Sequence, residues 1–142
     1  MNRSTNESWT VSAEGDEYVL PPNGHLALMP DQLLQYSALV DGHRADYSRG
    51  PHYTYMSGNG VATAFPELTA AGTYVLTMKD SGMRLTPAPF MQVETIKGLG
   101  CTKATPLGQD GKALSAAKLL DVTDAGLADL PVDGKAFAYG LE

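Results

Sequence analysis

From Trp9 to Ile96 the chain repeats one phrase, a short alternating or apolar run closed by a Gly, Pro, Asn or Asp turn. The runs are too short and too evenly spaced for a parallel α/β sheet. Their turn signals recur at roughly 8–12 residues, the interval of antiparallel all-β domains. The expected architecture is therefore an antiparallel β-sandwich of jelly-roll type, with an immunoglobulin-like order as the alternative. The 142 residues are 43% hydrophobic, which is one domain's worth of chain with material for a core.

Within that domain, residues 1–6 read as a polar N-terminal arm and residues 7–97 as the sandwich. Trp9, Val11 and Ala13 share one face of the first strand, which places Trp9 in the core. Glu14-Gly15, Asn23-Gly24, Asp41-Gly42 and Ser57-Gly58-Asn59-Gly60 are turn signals. Strands are expected at 17–20, 25–29, 32–40, 52–56, 61–65, 73–78, 83–85 and 90–96, with 47–51 as a loop. Residues 98–142 are rich in Gly, Ala, Leu and Asp. They suggest two short helices, at 114–120 and 124–130 with Thr123 capping the second, and a closing strand at 136–139. This stretch reads as a mostly irregular C-terminal extension packing on the sandwich or on a neighbour, since so short a piece rarely folds alone.

Composition narrows the function. A formal net charge of -6 with only ten Lys and Arg argues against nucleic acid and anionic membranes, both of which need clustered cations. The single cysteine, Cys101, rules out an intrachain disulfide and a thiolate zinc cluster, and reads as a buried inert thiol. No apolar segment of the length of a signal peptide core or a membrane span occurs, so a soluble protein made in a reducing compartment is expected.

Catalytic patterns are lacking. His25, His43 and His52 contain no His-x-His pair of the kind metal-binding cupins use, so no metal and no other cofactor is expected. There is no Gly-x-Ser-x-Gly elbow and no phosphate-binding glycine loop. Asp16, Glu17, Glu67 or Glu94 could meet as a glycosidase pair, but sixteen acidic residues on a small domain are mostly solvated surface. The chain is expected not to be an enzyme.

What remains is binding. Arg49, His52, Tyr53 and Tyr55, with Tyr47 beside them, gather residue types enriched at interfaces and able to stack on sugars. The opposing reading sets Tyr53 and Tyr55 half in the core with their hydroxyls at the rim. The strand-and-turn phrasing from Trp9 to Ile96, the polar arm Met1 to Asn6 and the Gly/Ala/Asp-rich stretch from Gly98 to Glu142 together resemble the capsid cement, or decoration, proteins of tailed double-stranded DNA bacteriophages. The resemblance is one of profile, without a short signature motif. It implies a structural protein made in the host cytoplasm and placed on the outer capsid surface. There it would bridge neighbouring major capsid subunits as a homodimer or homotrimer. Contacts are then expected from Asn2 and Arg3 in the arm and from Phe137 and Tyr139 in the tail, alongside the Arg49–Tyr55 cluster. Removing either arm is expected to weaken capsid binding without unfolding the sandwich. The alternative is a carbohydrate- or receptor-binding β-domain of a tail fibre or baseplate.

Overall fold

A computed structural model of the chain describes residues 1–79, 82–87, 93–97, 102–120, 127–131 and 135–142. Every regular element among them is a β-strand, and the pairings are antiparallel. The first half of the larger sheet is built from β1 (Trp9–Ala13), β2 (Asp16–Leu20), β3 (His25–Met29), β4 (Leu33–Val40), β5 (His43–Arg49) and β6 (Tyr53–Ser57). After β7 (Thr63–Ala64) and β8 (Leu68–Ala70), which belong to the smaller sheet, the chain returns to the larger one as β9 (Thr73–Lys79) and β10 (Gly82–Pro87). Next come β11 (Val93–Lys97), β12 (Lys103–Leu107), β13 (Lys118–Leu119), β14 (Leu127–Pro131) and β15 (Ala138–Leu141).

The order in the larger sheet is β1-β2-β4-β5-β6-β9-β10-β15-β12-β13, with β3 also on β4; the smaller sheet runs β14-β11-β8-β7. The all-β, antiparallel expectation is met. The jelly-roll order is not confirmed: from β1 to β10 the large sheet pairs strands in chain order, except that β2 joins β4 past β3 and β6 joins β9 past β7 and β8. The reason lies in the turns. Two-residue loops force adjacent strands to pair, and Glu14-Gly15 and Asp41-Gly42 both take positive φ (51° and 93°, 50° and 83°), the type I′ signature that matches strand twist.

Alternation then assigns the faces. One face of the large sheet carries Ala45, Tyr47, Met56, Tyr74, Leu76, Tyr139, Leu141 and Ala104, all buried, and Phe65 and Ala70 from around the smaller sheet join the same cluster. The two sheets thus share one core, an arrangement of the sandwich kind. On the other face of the central strands Ser37, Asp46 and Ser57 stand in register, with Ser48 and Tyr55 beside them, and Ser37 donates to Asp46 while accepting from Arg44 at 2.8 Å.

Several expectations are corrected. Trp9 is not a core anchor: β1 is a sheet edge, and the indole remains 44% exposed. Residues 47–49 are not loop, because β5 continues through Arg49 in register with Leu34 and Thr54. The segment 61–65 keeps only two strand residues. No helix forms at 114–120, where the chain bends into β13, and 127–130 lies in β14.

The terminal segments are not free arms. Asn2 is fully buried; its backbone donates to the Gly24 carbonyl and accepts from Asn23, while its amide donates to Leu20 and Glu7 carbonyls at 2.8 and 2.7 Å. The C-terminal stretch is no extension either, since β15 is hydrogen-bonded between β10 and β12, and β14 lies on β11. Cys101, Thr123 and residues 124–126 lie outside the described residues, as do the early parts of the expected strand at 90–96.

Candidate binding groove

The site begins at an interruption in the sheet. β2 and β3 lie along the same edge of β4, but Val19 pairs with Leu39 while His25 pairs with Ser37. The extra residues bulge out as the Pro21–Gly24 loop. Gly24 is required there because a Cβ would sit 2.7 Å from the Pro21 Cδ and the Ser37 carbonyl oxygen. Asn2 plugs the bulge from one side; from the other, Arg44 reaches the Pro22 and Asn23 carbonyls at 3.4 and 3.3 Å.

Beyond the bulge, β2 keeps a single pair with β4, so the β1–β2 hairpin is not tied along it. The hairpin nevertheless brings Tyr18 against Tyr36 of β4. Its residues Glu14, Asp16 and Tyr18 line a cleft of about 390 Å³ together with Leu28, Met29, Leu34 and Arg49 from the β3–β4–β5 side. A second cleft of about 500 Å³ shares Asp16, Tyr18 and Leu34 and continues past Tyr36, Val40 and Tyr47 to Phe65. The two form one groove along an uncovered margin of the core, where Leu34, Tyr36 and Val40 are only partly buried.

Four rings run along its floor. Centroids of Tyr18 and Tyr36 are 5.6 Å apart, of Tyr36 and Tyr47 5.2 Å, and of Tyr47 and Phe65 5.9 Å, the last two pairs nearly parallel. Tyr36 and Tyr47 are direct cross-strand partners. Offset stacking covers their faces; Tyr47 is fully buried, so of the pair only the partly buried Tyr36 has an edge and a hydroxyl toward the groove. Tyr47 Oη donates to both Glu67 oxygens, at 2.9 and 3.2 Å.

The surroundings hold these hydroxyls neutral. Burial, then Tyr18 and the Glu67 charge, pushes Tyr36 up to about 12. Burial, the Glu67 charge and the hydrogen bond to it raise Tyr47 well above the usual phenol value, against a lowering pull from Arg49. Tyr18 is raised by burial and by Asp16 and Glu14. The groove is acidic through Glu14, Asp16, Glu17 and Asp31, with Arg49 its one base among the lining residues.

The residues singled out from sequence are dispersed. Alternation sends Arg49 to the groove side, whereas Tyr53 and Tyr55 share the opposite face with Ser48. His52 is exposed in the intervening turn, and Tyr53, 42% exposed, packs its ring over Gly50. Arg3 is exposed, Asn2 is locked inside, Phe137 is 47% exposed and Tyr139 is buried. Tyr18, Tyr36 and Phe65 line the groove without having been grouped by sequence, since only strand register aligns them. Among the described residues no three His, Cys, Asp or Glu cluster as metal ligands; His43 instead shares a 2.6 Å hydrogen bond with Thr63.

No protein-family model, no curated protein and no solved structure matches this chain.

Proposed function

We propose that the chain is a non-enzymatic virion protein of the capsid-cement kind, bound to the outer capsid surface and bridging adjacent major capsid subunits. The observation that carries this reading is where its exposed apolar side chains stand. Trp9 lies on β1, one terminal strand of the large sheet, and Leu119, 79% exposed, lies on β13, the other. Leu114 and Phe137, also exposed, are hydrogen-bonded through their backbones to Pro106 and Leu107 of β12, next to β13. A rigid sheet with an adhesive patch at each end suits a bridge between two neighbours, and many copies acting together need little affinity at each contact. The outer edge of β1 has no charge, proline or bulge to protect it, so it also suits antiparallel pairing with β1 of a second copy.

The test is co-sedimentation with capsid shells of tailed phages. The wild-type chain should bind and raise the shells' thermal resistance. Trp9→Ser and Leu119→Ser should each abolish that gain without unfolding the chain. A chain that ignores every shell removes this reading.

A second reading, a carbohydrate-binding domain of a tail fibre or baseplate, is favoured by one observation, the exposed indole of Trp9. A flat, accessible ring is what a sugar face stacks on. Binding on a glycan array that disappears in Trp9→Ala would favour it over the cement reading.

A further inference from the structure

We infer that the groove is a docking site for an extended, basic polypeptide segment of a partner protein. The inference stands on the groove alone and would survive the loss of the virion reading. Three features select the occupant. The floor leaves Leu34, Tyr36 and Val40 half covered where the core is unroofed, so the occupant must bring apolar side chains to complete it. The walls carry Glu14 and Asp16 on the hairpin side and Asp31 at the β3–β4 turn, against Arg49 alone. Among the described residues none of these four is joined in an ion pair; the one ion pair formed there is Lys112–Asp110, at the β12–β13 turn. The field in the groove is thus uncompensated and favours a cation.

Shape separates a peptide from other cations and from sugars. The two clefts are continuous through Asp16, Tyr18 and Leu34, a trough that runs from Met29 to Val40. A strand's alternation supplies what such a trough asks for, apolar side chains down against Tyr36 and Leu34 and basic ones out toward the acidic rim. Sugar rings need an open aromatic face, and the face of Tyr36 is covered by its stacking on the buried Tyr47. The Tyr36 hydroxyl adds a hydrogen bond to a peptide backbone without adding charge.

The test uses the full chain and a fluorescein-labelled hexapeptide alternating lysine and leucine, followed by fluorescence anisotropy at low salt. The peptide should bind, and a glutamate–leucine hexapeptide should not. Asp16→Lys and Ala64→Lys, both exposed on the groove rim, should each weaken binding roughly three- to tenfold. Asp110→Lys, outside the groove, changes net charge as much as Asp16→Lys and should leave binding unchanged. Equal weakening by Asp110→Lys would mean attraction to overall charge and would overturn the site. Displacement of the peptide by spermidine or by maltohexaose at equal concentration would overturn the choice of occupant, in favour of a small cation or a sugar.

Discussion

At the residue scale, one short polar side chain holds together a junction that no apolar contact could. Asn2 is fully buried, its amide satisfies two carbonyls, and its Oδ1 accepts from the Ser4 backbone at 2.9 Å. Replacing it with alanine leaves the Leu20 and Glu7 carbonyls without these donors. A loss of about 2–3 kcal/mol is expected, read as a fall in melting temperature of roughly 5–10 °C. Gly58 is a second such point, because a Cβ there would collide with the Val61 and Ala70 carbonyl oxygens. Gly58→Ala should destabilise by about 3 kcal/mol or more in urea unfolding, since backbone on both sides cannot yield as a side chain would. Neither role is visible in the sequence, where Asn2 looks like part of a solvated arm and Gly58 like one more turn glycine.

The tyrosines make a pH prediction at the same scale. Tyr18, Tyr36 and Tyr47 have raised folded-state pKa values, Tyr36 to about 12 from 10.0. Below pH 10 folded and unfolded chains both keep these protons, so the stability is fully present. Above it the unfolded chain releases them first and stability declines as pH rises from 10 toward 12. Tyrosinate absorbance should show Tyr36 and Tyr47 ionising only as the fold is lost. Tyr36→Phe should flatten the decline.

At the scale of elements, β1 is the strand whose surroundings decide its behaviour. Trp9–Ala13 alternates as a half-buried strand should, and the type I′ turn at Glu14-Gly15 fixes its pairing with β2. What the alternation could not convey is that the strand lies at an edge, which turns Trp9 from a core residue into an exposed one. If the free edge pairs two copies, Thr10→Lys and Ser12→Lys, both at exposed positions, should convert a dimer into a monomer in light scattering while leaving thermal stability unchanged. Monomeric wild-type chain would remove β1 pairing from the proposed function. The groove has the same origin: Tyr18 and Tyr36 sit in strands that the sequence announces and Tyr47 in what it reads as a loop, and their alignment depends on the β4–β5 register and on the single Val19–Leu39 pair.

For the whole molecule, the C-terminal residues are the closing piece of the large sheet. β15 bonds to β10 on one side and β12 on the other, and the Glu142 backbone exchanges hydrogen bonds with Thr102 and Lys103. Deleting residues 138–142 should therefore abolish cooperative unfolding by calorimetry, not merely trim an arm. A truncated chain that melts like the intact one would contradict this integration. Tests of shell binding are better made with Trp9 and Leu119, whose exposed side chains can change without disturbing the sheets.

The sequence by itself determined the class of fold, the antiparallel pairing of neighbouring strands and the positions of most turns. These follow from side-chain alternation and from backbone geometries that Asn, Asp and Gly accept, and both act within a few residues. Tertiary structure alone decided that β2 and β3 share one edge of β4, that the last strand enters between β10 and β12, that Asn2 lies inside and Trp9 outside, and that Tyr36 and an acidic rim share one groove. Each of these depends on pairings between residues distant along the chain, and their free energy comes from burial and hydrogen bonds that exist only once the sheets have formed.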